Sequence, residues 1–276
     1  REEGYMIEAG QNKGYMLMKA NDRLSVEAIR PFLSFPDVYI KVYQGVDSTN
    51  RAAKAAAVTG EAGHGSFVLA GCQTEGRGRR GRSFYSPQDA GIYLSVVLEP
   101  KGSLQESLLL TAEAAVAVYK AVKKVTGIDL DIKWVNDLYH NGKKVCGILT
   151  EAVTDFESGN IEFAVVGIGL NIFEAAEGYP EAIKGIAGGI YESREAAGEL
   201  ERSRLAAEIV NALLEETKEL RLPPEYIEHN IVPGREICIS DGDKVRSAKA
   251  LEICPDGRLK VKEADGSLSV LSYGEV

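Results

Sequence analysis

The chain has three histidines, His64, His140 and His229, far apart in sequence. Neither a two-histidine zinc helix nor a histidine-centred hydrolase triad has material here, so any chemistry must rest on other groups. Cysteine is scarce as well. Cys72, Cys146, Cys238 and Cys254 stand singly, never as Cys-x-x-Cys, and each lies in an apolar stretch. That pattern argues against structural zinc and against a disulfide framework, and predicts reduced core thiols of a cytosolic protein. No apolar run reaches the ~20 residues a membrane-spanning helix needs; the longest candidate, 108–122, is broken by Thr111, Glu113 and Lys120. A Gly-x-x-x-x-Gly-Lys-Ser/Thr phosphate loop is missing too, so a nucleotide would have to bind in another way. The start, Arg1-Glu2-Glu3, has neither a methionine nor a basic-then-apolar leader and reads as cut or processed, with further sequence expected upstream. A formal charge of −9 argues against a surface built for bulk phosphate-backbone binding, although it leaves room for a local basic site.

What is present reads as one to three globular domains, since 45% hydrophobic and 26% charged residues suffice for a core and a solvated surface. Residues 4–18 alternate aromatic and aliphatic residues around Gln11-Asn12-Lys13, a β-hairpin pattern. A lone hairpin is marginally stable, so it belongs to something larger. Residues 24–33 form a short helix opened by Ser25, and 38–43 a strand. The cap-type run Asp47-Ser48-Thr49-Asn50 precedes an alanine-rich helix over 51–58 that stops at Gly60. Strands are predicted at 67–72, 92–98, 132–134, 145–152 and 161–170, with a helix at 104–125 and an Asn141-Gly142 hairpin turn, giving a mixed sheet backed by helices. A further amphipathic helix spans 203–220. Beyond Pro233, four short strands at 236–240, 247–253, 259–263 and 268–272, with Asp-Gly turns between them, predict a small β-barrel.

Three features carry chemistry. Gly76-Arg77-Gly78-Arg79-Arg80-Gly81-Arg82 places four arginines among three glycines, a backbone that can approach a ligand while presenting planar donors to carboxylate or phosphate. The plain alternative is a solvated arginine-rich loop or a nucleic-acid-binding tail. Lys143-Lys144 follows the Asn141-Gly142 turn and leads into an apolar strand with Gly147. Lysines after tight turns are mostly ordinary surface residues, but one at the mouth of a buried strand can hold a carboxylate and a phosphate together. Gly167-Ile168-Gly169-Leu170-Asn171 ends another apolar strand, where the glycines would let a flat ligand lie on the backbone or would serve packing alone.

Taken in order, Asp47-Ser48-Thr49-Asn50, Gln73 with the Gly76–Arg82 loop, Lys133-Trp134-x-Asn136-Asp137-Leu138, Lys144-x-x-Gly147-Ile148-Leu149-x-Glu151 and Gly167-Ile168-Gly169-Leu170-Asn171 resemble the bacterial and archaeal biotin protein ligases. The likeness runs over residues 40–172, and the β-rich segment after it is similar too. Residues 1–18 also resemble the wing hairpin that closes the DNA-binding domain of family members doubling as biotin-operon repressors. Two departures stand out: Phe84 where many relatives have tryptophan, and Val135 where many have proline.

The resemblance implies an α+β fold, with a central mixed sheet backed by helices in a class II aminoacyl-tRNA-synthetase-like catalytic domain and a C-terminal SH3-like β-barrel. The implied boundaries are 1–20 for the wing remnant, 21–231 for the catalytic domain and 232–276 for the barrel. It puts Ser48, Thr49, Asn50, Gln73, Arg77, Gly78, Arg79, Lys144, Gly147, Gly167 and Gly169 on biotin, and Arg80, Arg82, Phe84, Asn136 and Asn171 on ATP or the adenylate. Lys144 and Arg79 would be catalytic. The implied cofactor is Mg²⁺, without a named ligand set, and the implied partners are a biotin carboxyl carrier protein and a second copy of the chain. The expected compartment is the cytoplasm, with no membrane association. Operator DNA binding and transcription regulation are expected only with the helices that precede the wing. The alternatives are a lipoate or octanoyl ligase and a biotin-sensing repressor.

Overall fold

A computed structural model describes residues 6–10, 14–19, 22, 24–35, 37–100, 107–154, 161–241 and 244–274. Strands β1 (Met6–Gly10) and β2 (Gly14–Lys19) pair antiparallel, as the alternating pattern requires. The turn at 11–13 lies outside the described residues, as do 104–106 of the helix expected at 104–125. Helix α1 (Val26–Ile29) is opened by Ser25, whose Oγ accepts the Ala28 N–H at 3.2 Å.

The main sheet comprises β3 (Ile40–Tyr43), β4 (Phe67–Ala70), β5 (Gly91–Leu98), β6 (Asp131–Lys133), β7 (Asp137–His140), β8 (Lys143–Thr154) and β9 (Ile161–Asn171), in the order β3-β4-β5-β9-β8-β7-β6. Only β3 and β4 run parallel, so the sheet is mixed as expected. Every residue of β5 is buried because the sheet is covered on both faces. On one face α5 (Arg202–Glu216) packs against β5 and α3 (Ser107–Thr126) against α5 and β8, with Ile92, Leu94, Val96 and Leu98 in the core they share. On the other, Ala53 and Ala56 of α2 (Thr49–Val58) pack on Val97, Phe163 and Val165. Each buried Val, Leu, Ile or Phe side chain among these contributes roughly 1.5–3 kcal/mol relative to exposure.

Helix α2 starts two residues earlier than expected. Ser48 takes the N-cap position without a capping bond from its side chain, and Thr49 and Asn50 are helical and buried. Their cap-like chemistry is spent on the sheet face beneath instead. The first turn of α5 buries Arg202 almost completely. A buried guanidinium needs partners on every side. Arg202 donates to Asp22 Oδ2 at 2.8 Å and to the carbonyls of Asp89 and Gly91 at 3.0 and 3.1 Å, joining the N-terminal approach to the start of β5.

Short helices α4 (Glu181–Lys184) and α6 (Pro224–Glu228) lead to a four-stranded antiparallel meander, β10 (Glu236–Asp241), β11 (Lys244–Ile253), β12 (Leu259–Glu263) and β13 (Leu268–Leu271). Its last two turns place Gly257 and Gly266 at positive φ, as the Asp-Gly pairs require. The Trp134 indole donates to the Gly257 carbonyl at 2.9 Å and fastens this unit to the β6–β7 turn. One cysteine departs from expectation: Cys146 is buried and Cys72 and Cys254 are half-buried, but Cys238 is exposed on β10, where strand alternation turns it outward. No helix among the described residues is long and apolar enough to cross a membrane.

Candidate active site

The site lies on the α2 face of the sheet. Cross-strand register aligns Gly147, Gly169 and Tyr93 in one row, and Leu149, Gly167 and Ser95 in the next. Side chains are thus missing where α2 and the arginine loop approach the strands. A Cβ on Gly169 would overlap the Phe84 ring, and one on Gly167 would overlap the Asn50 amide, so both glycines are required by close contact. This decides the open question about them: they do serve packing, and the residues they pack against belong to the cleft.

Above this floor is a cavity of about 390 Å³. All sixteen residues anticipated for the site line it, from Ser48, Thr49, Asn50 and Gln73 through the loop residues Arg77, Gly78, Arg79, Arg80, Arg82 and Phe84 to Asn136, Lys144, Gly147, Gly167, Gly169 and Asn171.

At one end the groups are neutral and polar. The Gln73 side-chain carbonyl accepts the Thr49 N–H at 2.9 Å and the Thr49 hydroxyl at 3.0 Å, while its amide donates to Ser86 at 2.8 Å. Ser95 donates from below toward Thr49 and Asn50. Buried polar groups satisfied in this way hold fixed directions and present a defined set of donors and acceptors to a ligand.

At the other end the cleft is cationic. Residues 76–84 form a small hairpin, with Gly78 N–H to Arg82 O at 2.7 Å and Phe84 N–H to Gly76 O at 2.8 Å. A left-handed Arg80-Gly81 pair makes the tight turn between them. Arg79 donates to Asn136 Oδ1 at 3.3 Å, and Asn136 in turn donates to Ile148 O at 2.9 Å, which ties the loop to β8. Burial holds the Arg79 guanidinium below its ordinary pKa, with Asp137 working in the opposite direction. The adjacent lysines divide sharply. Lys143 is exposed and donates to Gly185 O at 2.8 Å, whereas Lys144 turns into the cleft and pairs with Asp137 at 2.6 Å. Strand alternation after the Asn141-Gly142 turn separates them.

Several lining residues were not anticipated. Asp137, which lines the cavity, and Glu151, which lies behind it bonded to Asn50, stood inside the recognised motifs without a role. Tyr179, Ile183, Ile186 and Ala187 come from the short helix α4 and the chain on either side of it, too short a segment to carry a periodic signal. It is held along β8 by Lys144 N–H to Ile186 O at 2.8 Å and Gly188 N–H to Lys144 O at 3.0 Å. Asn171 reaches it as well, donating to Gly188 O at 3.2 Å.

Fold and site together define an α+β protein whose cleft joins a pocket of neutral polar groups to a cluster of cations. Residues 42–171 match the model of the biotin/lipoate A/B protein ligase family. The chain is 33% identical to the bifunctional ligase/repressor BirA of Bacillus spizizenii and to that of Bacillus subtilis, in each case over 99% of this chain and 85% of the relative. The biotin protein ligase from Aquifex aeolicus, solved in complex with biotin and ATP, superposes with a TM-score of 0.65 at 25% identity, covering 86% of this chain and 97% of that one. The chain belongs to the biotin/lipoate A/B protein ligase family.

Proposed function

We propose that this chain is a biotin protein ligase, which activates biotin with ATP as biotinyl-5'-AMP and passes the biotinyl group to a lysine of a biotin carboxyl carrier protein. The observation that carries the reading is the single cleft in which the Thr49–Gln73 pocket adjoins Arg79 and Lys144. A cyclic urea, with two N–H donors and a carbonyl, suits that pocket. An octanoyl chain brings no polar head to it, which disfavours the related acyl ligases.

In the first step a biotin carboxylate oxygen attacks the α-phosphorus of ATP, a P–O bond forms, and pyrophosphate leaves with the electrons of the broken P–O bond. Two anions must meet. Lys144, released from Asp137, and Arg79 would offset the repulsion and stabilise the charge that builds on the phosphate oxygens. Arg77 would hold the carboxylate, with Arg80, Arg82, Phe84, Asn136 and Asn171 on the nucleotide side. In the second step the carrier amine attacks the acyl carbon and AMP departs. Among the described residues no three His, Cys, Asp or Glu side chains gather as a metal-ligand set, so Mg²⁺ fits as an ion carried on the triphosphate, where it would supply further charge neutralisation.

The same reading assigns 1–20 to a wing hairpin, 21–231 to a class II synthetase-like catalytic domain and 232–276 to an SH3-like barrel in a cytoplasmic protein. Homodimerisation completes the proposal, and operator binding belongs to it only if helices precede the wing; the repressor half of the relatives' names supports the latter. The deciding experiment is mass spectrometry of a biotin carrier domain incubated with this chain, biotin and Mg·ATP. One biotinyl group on one lysine is expected; an unmodified carrier would overturn the reading.

A further inference from the structure

Beneath the pocket runs a buried polar chain that ends on a carboxylate. Glu151, on β8, accepts the Asn50 amide on Oε2 at 2.7 Å and the Arg77 guanidinium on Oε1 at 3.3 Å. Both neighbours are donors, and the two carboxylate oxygens give each an acceptor of its own. The Asn50 Nδ2 also faces Leu149 O at 3.4 Å, which favours the same amide orientation. Asn50 Oδ1 therefore points at Ser95, a fully buried hydroxyl that donates to it at 2.6 Å.

Ser95 has one proton and a second acceptor within reach, Thr49 Oγ1 at 2.8 Å. While that proton is committed to Asn50, Thr49 Oγ1 gives its own to Gln73 Oε1 at 3.0 Å and keeps a lone pair for the cavity. We infer that Glu151 is a positioning residue: it locks Asn50 in one amide orientation, leaves Thr49 Oγ1 as an acceptor for a ligand N–H, and steadies Arg77 at the same time. The assignment rests on the biotin reading above and deepens it, because the urea N–H of biotin is the donor this acceptor would meet.

A glutamine at position 151 offers one oxygen. The cationic Arg77 takes it, the new amide N–H₂ faces Asn50, and Asn50 turns over to present Oδ1 instead. Its N–H₂ then faces Ser95, whose proton swings to Thr49 and fills the acceptor. Combining Glu151→Gln with Asn50→Asp undoes the reversal, since an aspartate carboxylate at position 50 accepts from the glutamine amide and from Ser95 together.

The test is calorimetric titration of the full chain with biotin, alongside the KM for ATP and the melting temperature. Glu151→Gln is expected to weaken biotin about tenfold or more, the scale of a hydrogen-bond donor and acceptor set at odds, with the KM for ATP held within about twofold. Asn50→Asp/Glu151→Gln is expected to recover most of the loss, which a merely structural role for Glu151 would not produce. Unchanged affinity in Glu151→Gln, or a double variant no tighter than the single one, overturns the assignment alone. A wild-type chain that binds no biotin overturns the reading of the site and this assignment with it.

Discussion

At the scale of single residues, the two adjacent lysines show what side-chain direction decides. Lys144 enters the cleft and meets Asp137 at 2.6 Å, whereas Lys143 lies on the surface. Lys144→Ala removes the charge proposed to meet the reacting phosphate and is expected to lower the rate of adenylate formation by at least about 10²-fold, against a mild effect for Lys143→Ala. Single-turnover measurement of biotinyl-AMP would show it, and equal effects of the two changes would mean that the wrong lysine has been assigned. Residues of this kind were legible because charged and glycine residues recur at fixed spacing around strand ends. Glu151 was not, because its effect passes through Asn50 and Ser95, and a hydrogen-bond direction leaves no mark on a sequence.

At the scale of elements, the arginine loop is a fastened hairpin whose hold on the sheet runs through Arg79 and Asn136. Arg79→Gly cuts that hold and loses a charge-assisted contact worth about 1.5–3 kcal/mol. If the loop is the lid, adenylate should still form but leave faster, and exposed lysines should then be acylated indiscriminately; a stopped-flow off-rate equal to wild type would show that it is not. A second element-scale effect concerns the contact of α3 with the segment after α5. Glu113 is fully buried there, accepts the Arg221 N–H at 2.9 Å, and is pushed by burial up to about 8 from 4.5. A carboxyl whose folded value is raised keeps its proton in the native chain while the unfolded chain has lost it, so its contribution is fully present below pH 4.5 and fades as pH rises toward 8. Glu113→Gln should raise the melting temperature by several degrees at pH 8, at about 2–4 °C per kcal/mol, and by little at pH 5. Equal melting curves at pH 8 would contradict this. Periodicity disclosed both helices, but not that a glutamate within the apolar run of α3 is turned inward.

At the scale of the molecule, the Asp-Gly turns announced a β-rich C-terminal unit, but contacts between distant segments are set by packing and could not be read from them. Two such contacts tie this unit to the cleft. Trp134 bonds to Gly257 O, and Arg80, on the left-handed turn of the arginine loop, donates to Ser240 O at 3.2 Å with its guanidinium 5.4 Å from the Tyr273 ring. Gly274, next to that ring, lines the cavity itself. The loop proposed for the nucleotide side is therefore braced by the C-terminal strands and the segment after them. Tyr273 is about half exposed, so the cation–π contact is worth only about 0.5–1 kcal/mol, a two- to fivefold effect. Tyr273→Ala should accordingly raise the KM for ATP by roughly that factor and leave biotin affinity unchanged, whereas Tyr273→Phe, which keeps the ring face, should behave as wild type. Biotin-dependent ATP–pyrophosphate exchange reads both constants. An alanine variant with an unaltered KM for ATP would show that the aromatic ring is a bystander to the hold on Arg80; a rise shared by the phenylalanine variant would transfer the effect from the ring to its hydroxyl.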